Sequence, residues 1–331
     1  MINRVLFYNS GGGVGDAIQI LPLINTLKTE FKNAKFFYLC AHENHFNSTL
    51  SDLNCRITTL DLGVKYFGFR WWHALTIKNK IKEHNIETFD LIIDLQSKIR
   101  NSLILKMIPH KYFISSCLNF KFSKPNLNVK KEKKINKTIL NAINYIFKTN
   151  YQLNEYNVDK IDKKFFIESE KLLPKNNYIG FSITKGNVYR KKDWPLNNIV
   201  ELCNEFIKNN KTPVFFIEKK NQELKINIKN LIPSALFPEH ETDLSSPALV
   251  TCLGKRLDFA ISIDNGVMHM LSLSKVPMIV LFGPTDAEKF APEHEGTTVL
   301  DSNKLYKTSN ISSISVEDVL LAAKQHLNFS Y

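Results

Sequence analysis

The amino-acid sequence predicts an α/β protein of two domains, each a parallel β-sheet covered by helices. Three observations lead there. Short apolar runs alternate with longer stretches whose apolar residues recur at helical spacing, the order that builds parallel sheets. The runs fall into two batches along 331 residues, a length able to bury two separate cores. Between the batches lies a polar, Lys-rich stretch of weak periodicity.

Taken in order, Arg4 to Tyr8 (RVLFY) reads as a buried strand and Asn9 to Asp16 (NSGGGVGD) as a tight Gly-rich turn. From Ala17, the residues Ile18, Leu21, Ile24 and Leu27 recur at helical spacing, with Pro22 tolerated only in the first turns of such a helix. Phe36 to Cys40 is a second strand, Lys78 to His84 closes a helix, Leu91 to Leu95 (LIIDL) is a strand, and Ser97 to Met107 is helical. Lys121 to Lys137 carries seven Lys and one Glu, a local +6, and runs into an amphipathic helix from Lys137 to Phe147. Thr149 to Asp162 is polar, so the boundary falls here and divides the chain into residues 1–155 and 156–331. In the second half Tyr178 to Ile183, Val214 to Ile217, Phe259 to Ile263 and Met278 to Phe282 are strands, with helices at Leu196 to Lys208 and Val267 to Ser274. Ligands of such sheets gather at the carboxyl ends of strands, so the cleft between the halves is the expected site.

Composition narrows the function. The 44 Lys and Arg exceed the 32 Asp and Glu, a formal +12, which would suit a nucleic-acid backbone. Only Arg4, Arg56, Arg70, Arg100, Arg190 and Arg256 are Arg, however, in a chain crowded with Asn and Ile, a drift toward A- and T-rich codons. The expected partner is an anionic surface or a small anionic substrate, with no nucleic acid. Five cysteines without a CxxC pair predict a reduced compartment and no zinc. No apolar run reaches the length of about 18 residues that spans a bilayer, and no signal peptide opens the chain. A soluble cytoplasmic protein is expected, able to rest on a membrane surface. No HExxH, GxSxG or Asp-x-Asp pair at a strand end is present, so no metal, cofactor or covalent nucleophile is expected.

Four turns carry the candidate chemistry. The first is Gly11 to Asp16, a strand-to-helix turn that fits neither the dinucleotide fingerprint nor the phosphate loop, which needs a Lys. Asp16 reads either as a helix cap or as an ionised general base on a bare turn. The second is Ser262 to His269 (SIDNGVMH), where Asp264 ends a strand and Asn265 with Gly266 opens a helix whose N–H groups suit an anion. Asp264 reads as a cap or a ligand, and His269 as a core histidine or a ligand. The third is Thr184 to Pro195 (TKGNVYRKKDWP), whose Thr184, Lys185, Arg190, Lys191 and Lys192 suit a pyrophosphate or simply form a solvated charged loop. The fourth, Phe282 to Asp286 (FGPTD), is a turn by its Gly-Pro content.

In this order and spacing the segments GVGDAIQILPLINTLK, DLIIDLQSKIRNSLIL, KKDWP, ISIDNGVMHMLSLS and VPMIVLFGPTD resemble the heptosyltransferases, glycosyltransferase family 9. The resemblance implies a GT-B architecture, two Rossmann-like α/β domains facing across a cleft, with residues 1–155 on the acceptor side and 156–331 binding the nucleotide sugar. It implies an inverting, metal-independent transfer of a heptose from ADP-heptose to a lipopolysaccharide inner-core or lipid A-linked acceptor at the cytoplasmic face of the inner membrane. Asp16 matches the family's catalytic base. Thr184 and Lys192 match phosphate contacts, and Asp264, Asn265, Gly266, Val267 and His269 match the donor-binding motif. Glu223 falls where a carboxylate holds the ribose, with Gln222 beside it as nearly as good a match. Gly15, Arg70 and Arg100 take acceptor-side positions. Many members carry Thr or Ser at the place of Asn265 and Gly at the place of Ser97, and the stretch between VFFI and FAISI matches poorly. The alternatives are a related glycosyltransferase with another nucleotide sugar or acceptor, an NAD-dependent oxidoreductase, or a non-catalytic nucleotide-sugar-binding module. The Lys121 to Lys137 stretch is expected to be a mobile loop near acceptor or membrane.

Overall fold

The structure, a computed structural model, describes residues 1–9, 12–40, 43–63, 69–184, 192–324 and 326. The chain divides into two compact units, Met1–Tyr156 and Asn157–Tyr331.

The first unit runs β1 (Arg4–Asn9), α1 (Val14–Gln19), α2 (Leu21–Glu30), β2 (Lys35–Cys40), β3 (Thr58–Thr59), α3 (His73–Glu83), β4 (Phe89–Asp94), α4 (Ile99–Leu105), β5 (His110–Ser115) and α5 (Ile135–Phe147). The five strands are all parallel, in the order β3-β2-β1-β4-β5. Central β1 and β4 are covered on both faces, which is why Val5, Leu6 and Phe7 and Leu91, Ile92 and Ile93 are fully buried. Each contributes about 1.5–3 kcal/mol of burial. The helix expected from Ala17 is two helices instead. Pro22 has no N–H for a helical bond and its ring collides with the preceding turn, so α1 stops at Gln19 and α2 restarts with Pro22 in its first turn.

Ser97 sits in the left-handed region at φ 55°, which explains why a Gly suits that position. Its hydroxyl meets that of Ser116 at 2.5 Å, tying the loop after β4 to the loop after β5. The stretch Lys121 to Lys137 is tied to the sheet at its start and to α5 at its end. Lys124 exchanges two backbone hydrogen bonds with Phe113 of β5, Phe120 and Ser123 are buried, and Thr138 closes the far end on Glu132.

The second unit runs α6 (Lys163–Leu172), β6 (Tyr178–Ser182), α7 (Leu196–Lys208), β7 (Thr212–Phe215), α8 (Gln222–Leu231), α9 (Pro247–Gly254), β8 (Leu257–Ile263), α10 (Gly266–Leu273), β9 (Met278–Phe282), α11 (Ala287–Phe290), β10 (Thr297–Asp301), α12 (Ser302–Tyr306) and α13 (Val316–Ala323). Its parallel sheet has the order β10-β9-β8-β6-β7, and Leu236 adds one parallel bridge to Val214 outside β7. Counting that bridge as a vestigial strand, both units start in one direction from their first strand and then reverse, the Rossmann ordering. The reversal falls between β1 and β4 in the first unit and between β6 and β8 in the second. The second core gathers Ile179, Phe181, Phe206, Phe215, Phe259 and Ile261, with Phe181 and Phe215 stacked at 5.1 Å.

Candidate functional site

At the reversal point of the first unit, β1 delivers the chain into Gly12 and Gly13, and α1 begins at Val14. Asp16 is exposed, and its Oδ2 accepts the Gly13 N–H at 3.1 Å across the head of the helix. Asp16 thus caps the turn while its side chain still faces solvent. A Cβ on Gly12 would lie 2.5 Å from Asp16 Oδ2 and 2.7 Å from its Cβ, whereas one on Gly13 would meet nothing within 4 Å. The bare turn is thus required at Gly12, by the carboxylate itself. His45, which sequence reading missed, donates from Nε2 to the Gly12 carbonyl at 3.1 Å, while its Nδ1 stands 3.8 Å from Glu43. Gly15 is buried within α1, and Gly11 lies outside the described residues.

Arg70 and Arg100 come from segments thirty residues apart, yet both act on one side chain. His73, at the start of α3, is held below the usual histidine range by burial and then by the charges of Arg100 and Arg70. The Arg70 N–H donates to His73 Nδ1 at 3.0 Å. Arg100 lies in the first turn of α4 with its Nε buried and without a hydrogen-bond partner among the described residues. Next to it, Asp94 is fully buried at the end of β4 and accepts from Ser102 at 2.5 Å, Ser115 at 2.8 Å and the Gln96 and Ser97 N–H groups. Burial pushes its carboxyl up, and those four bonds oppose the rise. Its task is to pin the loops after β4 and β5.

In the second unit Lys192 and Asp264 form a buried ion pair. The ammonium also donates to the Asp264 backbone carbonyl at 3.1 Å, so two of its three donors hold the end of β8. Asn265 is the cap of α10: its Oδ1 accepts the Met268 N–H at 2.8 Å, and its amide donates to the Ser182 hydroxyl at 2.8 Å and the Thr184 carbonyl at 2.9 Å. Thr or Ser would make the first bond but not reach across the reversal point to β6. Gly266 and Val267 occupy the first positions of α10 with free helical N–H groups expected there, and His269 is buried one turn further on. Lysine, carboxylate and helix N-terminus thus converge at the carboxyl ends of β6 and β8, a cation and helical N–H groups of the kind that suit an anion. Lys185, Arg190 and Lys191 lie outside the described residues.

The structure does not bring Glu223 to that cluster by any hydrogen bond or ion pair among the described residues; it is exposed in the first turn of α8. The buried carboxylate of this region is Glu239, which sequence reading missed. Burial pushes it up to about 7, with Glu218 adding to the rise and Ser245 opposing it. The fourth turn is structural: Gly283 lies against the Ile311 backbone at 3.0 Å from a would-be Cβ, and Asp286 caps α11. Among the described residues, no group of three or more His, Cys, Asp or Glu is placed to hold a metal ion, and no helix is long and apolar enough to cross a membrane.

The fold is similar to that of several solved structures. A family 9 glycosyl transferase from Veillonella parvula matches at TM-score 0.71 and 17% identity, covering 99% of this chain and 98% of the other. E. coli heptosyltransferase WaaC, solved with ADP, matches at 0.68 and 16%, over 98% of this chain and 100% of that one. E. coli ADP-heptose lps heptosyltransferase II matches at 0.67 and 15%, over 98% of each. At such identities the likeness establishes the fold. No curated protein matches the sequence. The profile of glycosyltransferase family 9 (heptosyltransferase) matches residues 77–319, more than half of the sequence, and the chain belongs to that family as a glycosyltransferase of GT-B fold.

Proposed function

We propose that the protein transfers a heptose from ADP-heptose to an inner-core lipopolysaccharide acceptor, with inversion, without a metal, and with Asp16 as general base. The observation that carries the reading is the buried Lys192–Asp264 pair beside the Asn265-capped start of α10, a cation and a helix N-terminus fixed together. That pairing suits a diphosphate leaving group. The family membership and a neighbour solved with ADP-2-deoxy-2-fluoro heptose support the donor.

The step is a single displacement. An acceptor hydroxyl oxygen attacks the anomeric carbon, and its proton passes to the Asp16 carboxylate. The new C–O bond forms as the bond from that carbon to the diphosphate oxygen breaks, and ADP departs with the electron pair. Its growing charge is met by the remaining donor of Lys192 and the N–H groups of Gly266 and Val267. Arg70 and Arg100 serve the anionic groups of the acceptor, the role their shared electrostatics around His73 favours. Residues of the first unit thus handle acceptor chemistry and those of the second the donor.

The experiment is a donor panel in the presence of EDTA. ADP-heptose is expected to be turned over while UDP- and GDP-sugars are not. Turnover of a UDP-sugar in preference to ADP-heptose, or abolition by EDTA, overturns the reading.

A further inference from the structure

We propose that the carboxyl rim of the first sheet docks on an anionic phospholipid bilayer, with Trp71, Trp72 and Leu75 as the inserted anchor. Helix α3 turns Ile77 inward, with Ala74 and Ile81 packed beside it. Its outward face begins with apolar groups where a surface helix carries polar ones: Trp71 is 61% exposed, Trp72 54% and Leu75 83%. Because α3 leads into the parallel strand β4, its first turn stands at the carboxyl edge of the sheet, as the 5.1 Å stacking of Phe69 on Tyr8 of β1 confirms. Exposed Ile99 at the head of α4 and exposed Leu118 after β5 stand at the same edge.

These apolar groups are set among cations. Arg70 and Arg100 both act on His73, directly behind the tryptophans, and Lys131 acts on Cys117, next to Leu118. The Ser97 to Ser116 contact joins the two loops, so the rim is continuous. Lys78 and Lys82 extend the exposed face of α3. Tryptophan with its polar N–H, an aliphatic partner and a collar of lysines is the composition of a bilayer interface. A protein partner is disfavoured because lysine is depleted from protein interfaces. The inference rests on the proposed reading only in that a lipid-linked acceptor gives such docking a purpose.

The chain has three tryptophans, and the third, Trp194, is 5% exposed with its Nε1–H donated to the Ile314 carbonyl. Fluorescence changes on vesicle addition therefore report Trp71 and Trp72. Vesicles of phosphatidylglycerol and phosphatidylcholine are expected to shift the emission to the blue, and brominated lipid to quench it. Pure phosphatidylcholine and high salt should weaken both effects. The double variant W71S/W72S should lose at least ~10-fold in partitioning onto these vesicles in sedimentation. It should keep transfer to a deacylated, water-soluble acceptor while losing it on a vesicle-embedded one. Absence of a blue shift and of quenching in the wild-type protein overturns the proposal, as does unchanged partitioning of W71S/W72S. The quenching arm needs no variant and survives a folding failure. Vesicle binding is read without turnover, so failure of the ADP-heptose assignment leaves it standing.

Discussion

Gly12→Ala tests the proposed catalytic role of the Gly12 to Asp16 turn without altering the carboxylate itself. The added methyl would meet Asp16 at 2.5 Å from Oδ2 and 2.7 Å from Cβ. The carboxylate can rotate away, but the Cβ belongs to a helix whose backbone is fixed by bonds from Asp16 and Ala17 to the Gly13 carbonyl. Relief therefore requires the turn or the head of α1 to shift by several tenths of an ångström to an ångström, at a cost of about 1–3 kcal/mol in stability. The Gly13 to Asp16 bond would be lost with it, about 1 kcal/mol more. With Asp16 in the proposed role of base, displacement by that distance is expected to cost roughly 100-fold in turnover, equivalent to about 2.7 kcal/mol of barrier. Gly13→Ala is the matched control, since its methyl meets nothing within 4 Å and the backbone there, φ −71°, suits any residue. Thermal unfolding and release of ADP during transfer, measured on both variants, give the answer. Equal turnover of G12A and G13A would refute the claim that Asp16 works from a position fixed against Gly12.

Three further outcomes follow from the second unit. Lys192→Met leaves Asp264 buried without its cation and should destabilise by about 3 kcal/mol; K192M/D264N should regain stability in a melting experiment yet stay inactive. Asn265→Ser keeps the helix cap but loses the bonds to Ser182 and Thr184, so it should fall between wild type and Asn265→Ala, at about 1–2 kcal/mol below wild type by chemical denaturation. Glu239 is raised from 4.5 to about 7, so the native state holds a proton that the unfolded chain has released across that window. Stability contributed by the protonated form is complete below about pH 4.5 and lost as pH rises through 7, at most about 3 kcal/mol. Glu239→Gln should therefore raise Tm at pH 8 and leave it nearly unchanged at pH 4.5; an equal shift at both would contradict the assignment.

Much of the fold was legible because central strands of a parallel sheet are apolar on both faces. RVLFY, LIIDL, FAISI and MIVLF all announced themselves and became β1, β4, β8 and β9. The strands that escaped are edges. In β5 only the last three residues are fully buried, with Lys111 exposed, and β10 is buried only at Asp301, so neither makes a continuous apolar run. Helix α9 escaped for the opposite reason: all eight residues are buried, which erases the amphipathic signal. Among the candidate residues, strand-turn-helix grammar singled out Asp16, Lys192, Asp264 and Asn265, because each stands where a strand hands over to a helix. What it did not reveal is pairwise. The Lys192 to Asp264 pair spans 72 positions, His45 reaches Gly12 across 33, and Arg70 and Arg100, far apart in sequence, both act on His73. Such contacts are made by the folded sheet, and no local spacing encodes them.

In the proposed mechanism Asp16 removes the acceptor proton while the second unit holds the donor. Asp16→Asn keeps the size and the hydrogen-bonding reach of the side chain but not its basicity. ADP is expected to bind the variant within about twofold of wild type by calorimetry, while turnover of ADP-heptose falls by ~10²–10⁴. Turnover within about tenfold of wild type, under 1.4 kcal/mol of barrier, would contradict it.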